Sequence, residues 1–259
     1  MPALLLIKFA VLSLWLPLLA AWERVRPSAK RPPKSDAPRL TRNLGLWLVN
    51  TALSPLLTVP ITAFAASHAL WARPDWALGW PAVLLDLLIL DAWIYAWHRA
   101  NHEIPWLWRF HQVHHLDEFL DVSTGLRFHP LEVLLSALAR AVLILALAIP
   151  LRAVLVYEVL VLACAAFHHA NLRIAPGLEA KLRWVIVTPS HHWVHHHALR
   201  RDTDSNYATM LTLWDRLFGS LSPHARTPDM PIGLEGARDR SLLSLAALPF
   251  TGRQSPRVR

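Results

Sequence analysis

The chain is poor in cysteine, glycine and charge. Its 259 residues include one cysteine, Cys164, eight glycines and 17% charged residues. A single cysteine excludes an internal disulfide framework. No GxGxxG sequence occurs among the few glycines, which argues against a dinucleotide bound by this chain. Scarce charge, 54% hydrophobic residues and thirteen tryptophans together indicate an integral membrane protein.

Long uncharged segments predict an all-α membrane bundle of about four to five spans. From Asn43 to Ala72 there is no Asp, Glu, Lys or Arg, and this segment can cross a bilayer with a kink at Pro55 and Pro60. The other predicted spans are residues 2–22, 80–97, 133–149 and 151–168. For residues 1–21 a cleaved signal peptide is the alternative, but Lys8 within the apolar run argues against it.

Basic residues predict the orientation. The loop from Trp22 to Arg42 carries seven lysines and arginines against Glu23 and Asp36, so we expect it in the cytoplasm. Counting spans onward then brings residues 98–115, 168–169 and 178–225 to the same side, where we expect a helical cap. The net charge of +8 comes largely from this loop and the tail. It favours anionic lipid head groups, not nucleic acid, as the partner.

Histidines are the most informative residues of the chain. Eight of the fifteen fall into boxes of the form HxxxH, HxxHH and HxxHH. Residues three and four apart share a helix face, so the imidazoles of one box point the same way. Imidazole is a common metal ligand, and eight exceed the usual six of one octahedral ion. Two metal ions are the simplest interpretation, held by His98, His102, His111, His114, His115, His192, His195 and His196.

Asp91 and Tyr95 share a helix stripe with the first box, and we expect both to act at the site. Asp91 lies about 10 Å along the helix axis from His98, too far for a direct bond. We therefore expect it to accept a hydrogen bond from a ligand histidine on another helix. The alternative is an aspartate that bonds to Ser, Trp or Tyr within the bundle.

Other histidines are less certain. His169, at the end of the last span, could complete a metal shell, whereas His168 fits an interfacial position better. His129, before Pro130, either caps the following span or lines the site, and His191 stays in reserve as a ligand.

Charged residues also occur inside predicted spans. Arg140 and Glu158 should lie at similar depth on either side of the hairpin turn, which predicts an ion pair that compensates two charges in lipid. Asp86 has no partner that the sequence identifies.

These motifs resemble the sterol desaturase and fatty acid hydroxylase superfamily over about residues 86–220. The combination is far more specific than any one box. It consists of Asp91-x-x-x-Tyr95-x-x-His98-Arg99-x-x-His102, His111-Gln112-Val113-His114-His115, Phe128-His129-Pro130-x-Glu132, His169-Ala170-Asn171, Thr188-Pro189-Ser190-x-His192-x-x-His195-His196 and Leu213-Trp214-Asp215.

The resemblance implies an oxidoreductase with a di-iron centre, which uses dioxygen and two electrons to hydroxylate or desaturate a sterol-like or fatty acyl lipid. It implies the eight box histidines as ligands, with His169 as a ninth. Some members carry one more histidine where this chain has Ala165, which leaves a coordination position open to water, His168 or His129 and favours the sterol desaturase branch.

Because no dinucleotide fingerprint is present, the electrons would come from a separate reductase or carrier. Such a donor would dock on the cytoplasmic face, where the arginines available to it are Arg173, Arg183, Arg200 and Arg201.

The sequence divides into three parts. Residues 1–79 hold the first spans and the basic loop, residues 80–220 the catalytic domain, and residues 221–259 a tail. We expect this tail to be loosely ordered, apart from a short helix at Leu242 to Leu248.

Two other functions compete with the oxygenase. A divalent-metal binding or transport protein would place its ligands near the bilayer midplane, whereas these boxes lie at span ends. A zinc hydrolase would show HExxH, but Trp106 stands where its second histidine belongs.

The orientation is tested by cysteine labelling. With Cys164 removed, a Lys34→Cys variant should resist a membrane-impermeant thiol reagent in intact cells and react after the cells are opened, because the basic loop faces the cytoplasm. Labelling in intact cells would reverse the topology.

Overall fold

The structure is a computed structural model that describes residues 2–31, 36–77 and 79–251, without the side chains of residues 2–9, 11, 12 and 76. Within those ranges the chain is all-helical and has no β-strand. The α-helices are α1 (Pro2–Val25), α2 (Asp36–Leu53), α3 (Thr58–Ser67), α4 (Trp80–Glu103), α5 (Pro105–His115), α6 (Pro130–Leu147), α7 (Leu151–His169), α8 (Pro176–Leu182), α9 (Pro189–His195), α10 (Arg200–Thr203), α11 (Leu213–Leu217) and α12 (Leu242–Ala247).

Three of these helices, α4, α6 and α7, are long and apolar enough to cross a membrane. Helices α2 and α3 qualify as a fourth span if taken together, bent by 44° at the break between them. Pro55 lies in this break, where a proline removes a backbone donor. The predicted all-α fold is thereby confirmed, with three to four candidate membrane spans among the described residues. The fifth predicted span, residues 2–22, falls in α1, and many of its side chains lie outside the described residues.

The spans pack through an apolar core. Helix α3 lies against α6, and α7 lies against both α1 and α4. Buried side chains of α4, α6 and α7 meet in this core, among them Leu90, Ile144 and Tyr157. Because α6 and α7 form an antiparallel hairpin, the start of α6 and the ends of α4 and α7 lie at one end of the bundle. That end carries the histidine boxes.

Two ion pairs involve charged residues of the spans. Arg140 Nη2 donates to Glu158 Oε1 at 3.0 Å, which confirms the predicted ion pair. Asp86, for which the sequence named no partner, accepts hydrogen bonds from the guanidinium of Arg73, one of them at 2.9 Å. Each pair compensates charges that would be costly to bury alone.

The tail is packed, so the expectation of a loosely ordered extension was wrong for the described residues up to 251. Leu245 is fully buried and lies in one cluster with Trp108 and Leu46. Asp239 accepts from Arg127 Nη2 at 2.5 Å and from Arg42 Nε at 2.8 Å. The predicted short helix is confirmed as α12. Partners of a tail that lie more than a hundred residues away cannot be recognised from local sequence.

Candidate metal centre

The first two boxes are brought together by a turn between two helices. The last two turns of α4 carry His98 and His102. Ile104 takes an extended conformation before Pro105, which starts α5, as expected for a residue before proline and for proline at a first helical position. Helix α5 folds back on α4 and presents His111, His114 and His115 from one face.

The third box is built in the same way. Thr188 is extended, Pro189 starts α9, and the helix presents His192 and His195, with His196 at its end. Helix α9 packs against α7, whose last residue is His169.

All nine histidines predicted as ligands converge in two groups. In each group one nitrogen of every ring lies within 4.8 Å of the others. Eight of the nine residues are buried, and His98 is partly buried. The first group consists of His98, His102, His111, His115 and His195, and the second of His114, His169, His192 and His196.

Backbone and carboxylate oxygens orient five of the rings through Nδ1. His98 Nδ1 donates to the Tyr207 carbonyl at 2.7 Å, and His195 Nδ1 to the Ser205 carbonyl at 2.7 Å. The same kind of contact joins His114 to the Arg127 carbonyl at 3.1 Å, His169 to the Ala165 carbonyl at 2.7 Å, and His111 to Glu132 Oε1 at 2.6 Å. In a neutral ring a donating Nδ1 leaves Nε2 as a bare acceptor.

His114 and His169 turn such acceptors toward each other. Their Nε2 atoms are 3.1 Å apart, and His192 Nε2 lies 3.0 Å from His169 Nε2. Because His114 and His169 both donate at Nδ1, their neutral rings have no hydrogen left to place between the two Nε2 atoms. Two lone pairs at this distance are favourable only where both nitrogens bind the same cation. The residues of the second group therefore fit a metal ion.

The first group fits a metal by a similar argument. His111 Nε2 and His195 Nε2 are buried and have no hydrogen-bond partner among the described residues, and the same holds for both ring nitrogens of His102 and His115. Buried polar atoms without hydrogen-bond partners are energetically costly, so we expect a bound ion or ligand to satisfy them. Together the five imidazoles of this group provide nitrogen ligands that suit a divalent transition metal.

Burial also keeps the rings neutral. Outside the spans, desolvation is the largest cause that lowers the pKa of His114, His115, His192, His195 and His196 well below the ordinary value for histidine. Neighbouring imidazoles lower these pKa values further. A neutral imidazole is the form that binds metal, so the centre needs no proton loss at neutral pH.

Asp91 makes a different contact from the one expected. Its Oδ2 accepts from Trp214 Nε1 at 2.8 Å and from the Leu211 backbone at 3.1 Å, with no imidazole bonded to it among the described residues. This corresponds to the alternative, an aspartate bonded within the bundle. Tyr95, buried beside it on α4, contacts Ser220 Oγ at 2.8 Å. Both side chains thus tie α4 to the segment after α10 and do not reach into the centre.

The remaining histidines have partners elsewhere. His129 caps α6, accepting from Leu131 at 3.1 Å, as one of its two interpretations stated. His168 Nδ1 donates to the Thr209 carbonyl at 3.2 Å, and His191 Nε2 lies 3.0 Å from Asp215 Oδ2. These three histidines lie outside the two groups.

Glu132 is the site residue whose role the sequence left open. It is buried, it orients His111, and its Oε2 has no partner among the described residues. Glu132 was visible in the sequence as part of the motif Phe128-His129-Pro130-x-Glu132. Its contact with His111 was not, because it arises only when α6 packs against α5.

A cavity of about 340 Å³ opens onto the centre. Its lining includes His98, His111, His114, His169 and His192 at one end and side chains of α4, α6 and α7 along its length. The centre can therefore be reached from within the membrane-spanning part of the molecule.

A family model described as fatty acid hydroxylase matches residues 83–220, more than half of the chain. The chain belongs to the fatty acid hydroxylase family. This places it in the sterol desaturase and fatty acid hydroxylase superfamily that the sequence motifs indicated, and the matched residues include every histidine of the two groups.

Its relatives within this family carry names of lipid-modifying enzymes. The chain is 27% identical to an ornithine lipid hydroxylase of Rhizobium tropici over 90% of its own length and 72% of the relative's. It is 28% identical to cholesterol 25-hydroxylase of Rattus norvegicus over 83% and 71% of the two chains. Alkylglycerol monooxygenase of Danio rerio is 36% identical over 54% of this chain, which spans 30% of that relative. No solved structure matches the chain.

The contact between Glu132 and His111 is tested by a matched pair of variants. Glu132→Gln should weaken metal affinity by about 10 to 100 fold, because it weakens the acceptor that fixes the tautomer of His111. Asp91→Asn changes an equally buried carboxylate that touches no histidine, and it should retain wild-type metal content. The readout is metal per chain during titration with a chelator. Equal retention in both variants would contradict the role of Glu132.

Proposed function

We propose that the protein is a membrane-bound di-iron oxygenase that hydroxylates a lipid. The observation that carries the proposal is the convergence of nine histidines in two groups, in one of which His114 Nε2 and His169 Nε2 face each other at 3.1 Å with no hydrogen to place between them. Two groups of five and four imidazoles suit two transition-metal ions.

One ion would be held by the group around His98, His102 and His195, and the other by the group around His114 and His169. The iron ions, when bound, would supply the chemistry that activates dioxygen toward an unactivated C–H bond. The protein's own part is to orient the imidazoles through carbonyls and Glu132, to keep them neutral, and to exclude water from the reacting carbon.

A lipid substrate is supported by the position of the cavity. Its walls belong to the helices that are apolar enough to span a membrane, and the apolar side chains Val133, Val161 and Leu162 line it. The relatives are named for ornithine lipid, alkylglycerol and cholesterol, all of them lipids, and for hydroxylation or monooxygenation. These names favour hydroxylation over desaturation.

The electrons would come from a separate protein. We place the centre on the cytoplasmic side, as the basic loop predicts, so that a soluble donor can reach it. Arg173 is exposed and the side chain of Arg201 is 69% exposed, so both are available to such a donor. Arg200 is engaged within the protein, since its Nε donates to Asp204 at 2.6 Å and its guanidinium lies over Trp108.

The domain division remains part of this proposal, with residues 80–220 as the catalytic domain. The tail packs against this domain, since Leu245 and Leu248 lie in one apolar cluster with Trp108 and Val113 of α5. Metal transport is less well supported, because the histidines lie at the ends of α4 and α7 and not at their midpoints.

Mass spectrometry of cellular lipids tests the proposed reaction. Cells that express the chain should contain a lipid species heavier by one oxygen atom than its precursor. The species should be absent from cells that express His195→Ala, because that change removes one ligand while leaving the spans intact. Loss of two hydrogens in place of the added oxygen would identify a desaturase. Identical lipids with wild type and His195→Ala would contradict an oxygenase in this host.

A further inference from the structure

The cavity has a polar end far from the histidines. Most of its length is lined by apolar side chains of α6 and α7, but Arg140 and Glu158 line it as well. On α6 the residues Glu132, Ser136 and Arg140 are spaced by four, so they form one stripe along the face that borders the cavity. Glu132 marks the metal end of this stripe and Arg140 the other end.

The two ends are about 12 Å apart, since Arg140 is eight positions after Glu132 and a helix rises 1.5 Å per residue. Helix α7 gives a similar separation of about 16 Å, because His169 is eleven positions after Glu158. An elongated molecule that reaches both ends therefore has a slender apolar part of roughly this length.

The Arg140–Glu158 pair lines the cavity, whereas the Arg73–Asp86 pair does not. The side chains of Arg140 and Glu158 are 13% and 20% exposed, and those of Arg73 and Asp86 are 11% and 0% exposed. Arg140 also keeps a buried Nε without a hydrogen-bond partner among the described residues. An ion pair that only compensates buried charge need not line a cavity, as the Arg73–Asp86 pair shows.

We propose that this pair binds the polar end of the lipid and that the group it recognises is an uncharged hydroxyl. A hydroxyl can accept from the Arg140 guanidinium and donate to the Glu158 carboxylate, so it satisfies both partners without adding charge. A carboxylate at the same place would meet the negative charge of Glu158. A plain hydrocarbon would leave Arg140 Nε without a hydrogen-bond partner among the described residues.

The hydroxyl-bearing lipid would be the substrate of the proposed oxygenase. Only the statement that its far end is the end that reacts rests on that proposed function. The hydroxyl binds at the ion pair, the apolar part lies between α6 and α7, and the far carbon reaches the histidine groups. Binding can be measured without turnover, so its test stands apart from the test of the reaction.

The experiment uses quenching of tryptophan fluorescence by bromine. Trp97 lines the cavity and precedes the ligand His98. Full-length protein in lipid nanodiscs, without a reductant, is titrated with 12-bromododecan-1-ol, 1-bromododecane and 12-bromododecanoic acid. The alcohol should bind about tenfold more tightly than the bromoalkane, the ratio expected for hydrogen bonds to charged groups, and more tightly than the acid. A Trp97→Phe variant identifies the part of the quenching that arises in the cavity.

Two double variants separate recognition from charge compensation. Arg140→Leu/Glu158→Leu should bring the ratio of alcohol to alkane affinity to about one. Arg73→Leu/Asp86→Leu, which removes an ion pair outside the cavity, should keep it at about ten. Each affinity is expressed relative to the concentration of probe in the bilayer, which is measured with nanodiscs that contain no protein, so the ratios report binding to the protein.

Three results would overturn the proposal: no preference for the alcohol in the wild type, tighter binding of the acid, or an unchanged ratio in Arg140→Leu/Glu158→Leu. If that variant does not yield folded protein, Glu158→Gln takes its place, and the ratio should fall at least about threefold. An unchanged ratio in Glu158→Gln would equally overturn it.

Discussion

The histidine centre is governed by one electrostatic constraint: buried imidazole nitrogens face one another with their lone pairs and need a cation to offset the repulsion. His114 and His169 each donate Nδ1–H to a carbonyl and so turn bare Nε2 acceptors toward each other at 3.1 Å. Protonation of one ring would remove the repulsion, but burial disfavours it, since desolvation lowers the pKa of His114 well below its ordinary value. A bound metal ion would resolve this conflict and would hold α5, α7 and α9 together.

The surrounding protein consists of parts that hold this arrangement. Pro105 and Pro189 start α5 and α9 after an extended residue, and each HxxHH box lies at the C-terminal end of its helix. Glu132 and the carbonyls of Tyr207 and Ser205 fix ring orientation from helices and loops far apart in sequence. The tail then covers α5 with Leu245. Rigid supports of this kind are what a site needs to keep its ligands in register.

Sequence patterns predicted what is local and missed what depends on packing. The box spacings identified the ligand candidates, and counting from the hairpin turn was enough to pair Arg140 with Glu158. The division of the histidines into five and four could not be predicted, because it mixes residues of several helices. Asp91 bonds to Trp214, which lies 123 residues away. The packing of the tail depends likewise on Asp239 and two distant arginines.

The most direct test of a two-metal centre is the number of metal ions per chain. Full-length protein produced with iron supplementation should contain about two ions per chain by elemental analysis, because nine imidazoles in two groups exceed the capacity of one ion. A His224→Ala variant, changed at a histidine outside both groups, should contain the same number. One ion or none in protein that is active would contradict the account.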